Sequence, residues 1–188
     1  MKRLFIAIPI RLSDKYNPLI SQLRQKTAFD RIVWMNAEGH HLTLRFIGKT
    51  PEFQIPSLKA MLDDVGENFS PFSLKINKLS LFGSSYAPKV IWLGFEDCPY
   101  ITQIFSSLEN KLTQQLNFKK NDGNFVPHLT LGRIKKVDNK KYFSQMIEQL
   151  QPDFHQEILV EKIILYQSIL NNSGPVYVPL HEVELKRP

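Results

Sequence analysis

The stretches GHHLTLRFIG at residues 39–48 and PHLTLGRI at residues 127–134 share the tetrapeptide HLTL, and both alternate polar with apolar residues. Alternation with a period of two is typical of a β-strand that buries one face. In the first strand this period separates two sets of side chains, with Leu42, Leu44 and Phe46 on one face and His41, Thr43 and Arg45 on the other. The leucine face is the one that we expect to join the core.

The second copy repeats this arrangement, with His128 and Thr130 pointing away from the leucines. Each strand therefore presents an imidazole and a hydroxyl together, about 7 Å apart along the chain. The chain has only five histidines, and two of them, 87 residues apart, begin the same tetrapeptide. This spacing suits one motif in each lobe of a duplicated fold. The sequence thus predicts one site built from both copies, on two strands that face each other across a cleft.

The composition is that of a soluble globular protein, with 188 residues of which 43% are hydrophobic and 22% charged. This length suits one bilobal domain over residues 1–188, with one motif in each lobe. Cys98 is the only cysteine and cannot form an internal disulfide, which favours a reducing, cytoplasmic location. We interpret MKRLFIAIPI at residues 1–10 as a strand, not a signal peptide, because its apolar run is short and contains Pro9. No apolar stretch approaches the roughly 20 residues of a membrane span.

The net charge of +6 and the pI near 9.4 favour a polyanionic partner. The cations form three small clusters, at residues 119–120, 133–136 and 140–141. Charge alone leaves open whether these clusters bind nucleic acid or form a solvated surface.

The hydrophobic patterns predict an α+β fold with a mainly antiparallel sheet and flanking helices. The predicted strands are 3–9, 31–35, 41–47, 72–82, 88–95, 126–133, 157–165 and 176–183. The predicted helices are 14–28, 53–66, 100–116 and 140–150. No glycine-rich phosphate loop or dinucleotide-binding fingerprint occurs.

Five stretches of the chain resemble one family: RLFIAI at 3–8, VWMNAEGHHLTLRFIG at 33–48, PKVIWLGF at 88–95, FVPHLTLGRI at 125–134 and YQSILNNSGPVYVPL at 166–180. The chain is similar to the two-histidine phosphoesterase superfamily. Within it, the chain resembles the bacterial and archaeal RNA 2′,3′-cyclic phosphodiesterases, which are also called 2′-5′ RNA ligases. The family signature is a pair of His-x-Thr-x motifs, matched here by two pairs, His41-Thr43 and His128-Thr130. At position 40 the family has an apolar residue, whereas this chain has His40. We interpret His40 as a spacer on the face opposite to His41.

The resemblance implies two pseudo-symmetric lobes around a central cleft. It also implies hydrolysis of a terminal 2′,3′-cyclic phosphate to a 2′-phosphate, with His41 as proton donor and His128 as proton acceptor. Ligation to a 2′-5′ bond would be the reverse reaction. The symmetry of the sequence does not by itself decide which histidine is the acid.

The residues support this chemistry independently of the resemblance. Two imidazoles suit acid–base catalysis near neutral pH, because the reference pKa of histidine is about 6.5. One imidazole can take a proton from water while the other gives one to the departing oxygen. The hydroxyls of Thr43 and Thr130 can donate hydrogen bonds to the phosphate oxygens as charge develops. We expect no cofactor.

A zinc site is the main rival use of paired histidines, but a catalytic zinc has three protein ligands. His155 and His181 are isolated in the sequence, so we predict no metal site. No serine or cysteine nucleophile has a recognisable motif, and we expect Cys98 in a loop.

Two arginines are candidate phosphate contacts. Arg45 shares the face of His41, although a solvated strand charge is an equal alternative. Arg133 resembles the arginine that follows the second motif in the family. Strict alternation turns Arg133 to the face of Leu129, so it reaches the cleft only if Gly132 marks a bulge or the strand ends there. We assign no role to three aromatic residues, Trp34, Trp92 and Tyr177.

Two functions remain open. The first is a metal-independent cyclic phosphodiesterase acting as a monomer on RNA ends or small cyclic nucleotides, away from membranes. The second is a binding module that holds a nucleotide or RNA end in the same cleft without turnover. A matched acid and base favours the enzyme, because a binding module needs neither.

Overall fold

A computed structural model describes residues 1–171 and 174–186, which form an α+β fold. The strands of the described chain are β1 (Lys2–Pro9), β2 (Arg31–Trp34), β3 (His41–Thr50), β4 (Phe72–Ser84), β5 (Ala87–Phe95), β6 (His128–Lys136), β7 (Glu157–Val160), β8 (Lys162–Asn171) and β9 (Gly174–Glu184). The helices are α1 (Asn17–Lys26), α2 (Ile55–Glu67), α3 (Pro99–Gln114) and α4 (Lys140–Gln149). Within these ranges, no helix is long and apolar enough to cross a membrane.

The strands pair antiparallel in the order β7-β4-β5-β6-β3-β1-β8-β9, and β2 also pairs with β6. The two motif strands, β3 and β6, are neighbours in this order and are joined by the pairing of Leu42 with Leu129. The sheet thus consists of two halves that meet where the motifs lie. The sequence predicts two strands that face each other across a cleft, and the structure joins these strands edge to edge at this pair.

Each predicted strand and helix has a counterpart in the structure, with one difference in the number of strands. The predicted strand 157–165 is two strands, β7 and β8, interrupted at Glu161. The physical reason is that β7 pairs with β4 in one half of the sheet, whereas β8 pairs with β1 in the other. The chain crosses between the halves at this residue.

The hydrophobic core lies on the leucine face of the sheet, under the helices. The four motif leucines, Leu42, Leu44, Leu129 and Leu131, are at most 2% exposed. They belong to one cluster with buried residues from α2 and α3, namely Leu58, Leu62, Ile104 and Leu108. The alternation that predicted a buried leucine face is therefore confirmed for both HLTL segments.

A β-bulge interrupts the first motif strand directly after the threonine. Thr43 and Arg45 of β3 lie opposite consecutive residues of β1, Ala7 and Ile6, so Leu44 is the extra residue. Beyond the bulge the alternation of faces is shifted by one position.

The second motif strand has a bulge at the matching position. Thr130 and Gly132 of β6 lie opposite consecutive residues of β5, Trp92 and Ile91, so Leu131 is the extra residue. Both copies of the motif therefore carry the same irregularity. It moves the residue five positions after each motif histidine onto the face of the histidines.

The first bulge turns Arg45 away from His41. Arg45 forms an ion pair with Glu109 of α3, and both side chains are about nine-tenths buried. Its guanidinium also donates hydrogen bonds to the carbonyl oxygens of Phe46, at 2.7 Å, and Lys119. Glu109 in turn accepts a hydrogen bond of 3.0 Å from the backbone N–H of Asn121. The prediction that Arg45 shares the face of His41 is therefore wrong, because strict alternation does not hold past Leu44.

We expect Glu109→Ala to lower the free energy of unfolding by about 3–5 kcal/mol, because it leaves the buried charge of Arg45 without a partner. Urea unfolding measures this change. The double variant Arg45→Met with Glu109→Leu should recover most of the loss, since it removes both charges. Glu96→Ala is the matched control, because the pair between Lys75 and Glu96 is half exposed and its loss should cost under about 1 kcal/mol. Equal losses in Glu109→Ala and Glu96→Ala would contradict this account.

Candidate active site

The four polar side chains of the motifs lie together at the junction of the two halves of the sheet. The antiparallel pairing of Leu42 with Leu129 sets His41 alongside Thr130 and Thr43 alongside His128. We call the face of the sheet that carries these four side chains, His41, Thr43, His128 and Thr130, the motif face. All four are partly buried. The structure thus brings together the two motifs that the sequence places 87 residues apart.

Each motif histidine is held by the same local hydrogen bond. The Nδ1–H of His41 donates to the carbonyl oxygen of Gly39 at 2.7 Å, and that of His128 donates to Val126 at 2.8 Å. In both cases the acceptor is the carbonyl two residues earlier. Because a carbonyl can only accept, Nδ1 keeps its proton and Nε2 is the atom that can gain or lose one.

Aromatic rings pack against both imidazoles. His41 contacts Phe5 and Tyr177 at centroid distances of 5.0 and 4.9 Å, the latter edge to face. His128 contacts Phe82 edge to face at 4.7 Å and lies 6.0 Å from Trp92. These rings restrict the orientation of each imidazole and keep water from part of its surface.

Burial and positive charge favour the neutral form of both imidazoles. Burial is the largest cause that lowers the pKa of His41 to about 4, and the charges of Arg133, His128 and His40 lower it further. The pKa of His128 is lowered by burial and then by the charge of Arg133. The hydrogen bonds to Gly39 and Val126 oppose these shifts. A bound anion would oppose them as well, because negative charge favours the imidazolium form.

Arg133 acts electrostatically on the motif face. It is exposed, and its charge adds to the burial that lowers the pKa of His41 and His128. Burial raises the pKa of Tyr177, and the charge of Arg133 opposes that rise. The sequence analysis expects Arg133 to reach this face only if a bulge occurs at Gly132. The structure has such a bulge, at Leu131 and Gly132.

Phe46 occupies the position in the first motif strand that Arg133 occupies in the second. The sequence pattern predicts Phe46 on the leucine face, and this is wrong because of the bulge at Leu44. The ring is 55% exposed and lies 5.8 Å from Phe5, which also contacts His41. Phe46 is thus a residue of the site that sequence reasoning missed.

Two of the aromatic residues that received no role, Trp92 and Tyr177, contact the motif histidines. No signal within their own strands identifies them, since each contact joins segments distant in sequence. Trp34 packs against the core instead, under the guanidinium of Arg24 at 5.5 Å.

The other three histidines have separate environments. His40 is buried, and its carbonyl oxygen accepts the N–H of Ile10 at 3.1 Å. His155 contacts the carbonyl of Ile76, and Nε2 of His181 lies 2.7 Å from the carboxylate of Asp63. Among residues 1–171 and 174–186, no three His, Cys, Asp or Glu side chains are grouped so that they could hold a metal ion.

Comparison with known proteins gives consistent matches over nearly the whole chain. The family model of the 2′-5′ RNA ligase superfamily matches residues 13–171. The RNA 2′,3′-cyclic phosphodiesterase of Methanocaldococcus jannaschii is 32% identical, over 96% of this chain and 99% of that protein. The RNA 2′,3′-cyclic phosphodiesterase of Thermotoga maritima is 30% identical, over 98% of this chain and 96% of that protein.

Solved structures share the fold. TT0787 of Thermus thermophilus superposes with a TM-score of 0.81 at 23% identity, and 97% of each chain is covered. E. coli LigT, crystallised in complex with 3′-AMP, superposes with a TM-score of 0.74 at 22% identity, and 99% of each chain is covered. These likenesses confirm the predicted α+β, bilobal fold class.

Replacing Arg133 by Gln should raise the pKa of both motif histidines by roughly half a pH unit, because it removes a positive charge that favours their neutral forms. The imidazole Cε1 protons report these pKa values in an NMR titration from about pH 3 to about pH 9. Arg133→Lys keeps the charge and should leave both midpoints close to those of the unsubstituted protein. Unchanged midpoints in Arg133→Gln would mean that Arg133 does not act on the motif face.

Proposed function

The chain belongs to the 2′-5′ RNA ligase superfamily, and we propose that it is an RNA 2′,3′-cyclic phosphodiesterase that leaves a terminal 2′-phosphate. The observation that carries this proposal is the matched pair of imidazoles, each anchored through Nδ1 with Nε2 remaining for proton transfer. Acid–base chemistry at a phosphodiester needs such a pair. The substrates are RNA ends or small cyclic nucleotides, and the chain acts as one bilobal domain with one His-x-Thr-x motif in each lobe.

The reaction opens the five-membered ring by in-line attack on phosphorus. Nε2 of neutral His128 takes a proton from water as the water oxygen bonds to phosphorus. The bond from phosphorus to O3′ breaks, and Nε2 of protonated His41 gives its proton to O3′. The product carries a 2′-phosphate and a free 3′-hydroxyl. One proton has moved from His41 to the 3′-hydroxyl, and another has moved from water to His128. Proton exchange with solvent restores both imidazoles, and the reverse sequence would form a 2′-5′ bond.

The hydroxyls of Thr43 and Thr130 stabilise the charge that develops on the non-bridging oxygens. Each hydroxyl lies on the same strand and face as a motif histidine and alongside the other one. A hydroxyl can donate one hydrogen bond, so the two together can reach both non-bridging oxygens. Arg133 adds positive charge on the same face, which suits a phosphate contact.

The environment of His41 makes its protonation depend on the substrate. With a pKa of about 4, the imidazole is neutral at pH 7 before the substrate binds. The anionic cyclic phosphate raises the pKa of the adjacent imidazole, which favours the protonated form that the acid needs.

We expect His41→Ala and His128→Ala each to lower kcat by about 100- to 10,000-fold on an oligonucleotide that ends in a 2′,3′-cyclic phosphate. Thr43→Val and Thr130→Val should each lower kcat by roughly 10- to 1,000-fold, because each removes one hydrogen-bond donor. Thr43→Ser and Thr130→Ser are the matched controls, since they retain the hydroxyl. The measurement is chromatographic separation of 2′-phosphate and 3′-phosphate products.

Turnover should persist in EDTA, because side chains supply both the proton transfer and the charge stabilisation. Activity lost in EDTA and restored by zinc or manganese would overturn the mechanism. A protein that binds the cyclic end but releases it unchanged would instead be a binding module.

A further inference from the structure

The strands around the motif face have an extreme charge bias. Strands β1 to β6 contain eleven Lys or Arg residues and no Asp or Glu. Four of these cations form ion pairs with residues outside the strands, namely Lys2, Arg45, Lys75 and Lys136. A sheet with this bias attracts anions larger than one phosphate group.

Part of this charge forms a row where β2 pairs with β6. Arg31 lies opposite Lys136, and Val33 lies opposite Arg133. A further bulge in β6, at Lys135, lies between these pairs. All four cations of this row, Arg31, Arg133, Lys135 and Lys136, are exposed, and we call them the basic edge.

One cation of the basic edge, Lys136, is paired with an acidic residue. Nζ of Lys136 lies 2.8 Å from the carboxylate of Asp138, whose backbone N–H donates to Asp30 at 3.2 Å. Arg31, Lys135 and Arg133 form no ion pair within the described chain. Arg31 and Lys135 are therefore the cations beyond Arg133 that can contact further phosphates.

The basic edge begins on the His41 side of the site. The N–H of Met35, in the segment that leads to His41, donates to the carbonyl of Leu131 at 2.8 Å, so β6 runs past this segment. In β6, Arg133 follows Thr130, which lies alongside His41, whereas His128 lies in the other direction along the strand. The charge of Arg133 acts on both imidazoles. The matching position in β3 holds the apolar ring of Phe46. The pseudo-symmetry of the site is thus broken by charge.

This asymmetry matches the stereochemistry of the reaction. In in-line attack the water and the departing oxygen lie on opposite sides of phosphorus. O3′ belongs to the ribose, so the ribose and the nucleotides before it lie on the side of the acid. With His41 as the acid, that side is the one where the basic edge begins.

We propose that the RNA strand on the 5′ side of the cyclic phosphate leaves the site over Arg133 and runs along the basic edge, with its phosphates on Arg31 and Lys135. The inference rests on the proposed function and specifies its substrate as a polynucleotide end, in preference to a cyclic mononucleotide. Backbone contacts of this kind carry no sequence preference, so the edge accepts RNA ends of many sequences.

The test compares two substrates, a 2′,3′-cyclic mononucleotide and an octanucleotide that ends in the same cyclic nucleotide. In the double variant Arg31→Ala with Lys135→Ala, the ratio of kcat/KM for the octanucleotide to that for the mononucleotide should fall about tenfold at low salt. The slope of log kcat/KM for the octanucleotide against log salt should become shallower by about 1.4, since each single-strand phosphate contact contributes roughly 0.7.

The matched control is Lys26→Ala with Lys59→Ala, which removes two charges from α1 and α2 and should leave the ratio unchanged. An unchanged ratio in the Arg31 and Lys135 variant, or an equal fall in the control, would overturn the proposed path. Failure of the unsubstituted protein to hydrolyse either substrate would overturn the proposed function itself, so the two failures are distinguishable.

Discussion

The site depends on the single pairing of Leu42 with Leu129, where the two halves of the sheet meet. This pair sets the register in which each motif histidine lies alongside the threonine of the other copy. The leucines on either side anchor that register, because a slip of one residue would expose side chains that are now in the core. Two segments distant in sequence can therefore form one acid–base site without any covalent or metal link between them.

The two bulges explain what the alternation of the sequence could and could not predict. Alternation correctly places the leucines, histidines and threonines, because each of them either precedes the extra residue of its strand or is that residue. It fails at Arg45 and Phe46, which follow the bulge at Leu44. Gly132 indicates the second bulge, because glycine within a strand is frequent at bulges. No glycine lies at the first bulge. The contacts of Trp92 and Tyr177 with the histidines, and the break at Glu161, arise from pairing between distant strands, which a single sequence does not encode locally.

The site combines low polarity around its imidazoles with positive charge beside them. Burial and the charge of Arg133 both lower the pKa of the two imidazoles and so favour their neutral forms. A bound phosphate favours the imidazolium form of the histidine that it approaches, because its negative charge raises the pKa of that imidazole. The same charge bias, continued along β2 and β6, attracts a polyanion to the sheet. The positive charge beside the imidazoles and the charge of the proposed RNA path both belong to strands β1 to β6, which contain no carboxylate.

The most direct test of the central claim is a crystal structure with a nucleoside 2′,3′-vanadate, which mimics the five-coordinate transition state. The account predicts Nε2 of His41 and Nε2 of His128 within about 2.6–3.2 Å of opposite apical oxygens, with the ribose on the side of His41. It also predicts the hydroxyls of Thr43 and Thr130 on equatorial oxygens. A metal ion between the imidazoles, or both imidazoles on the same side of vanadium, would contradict it.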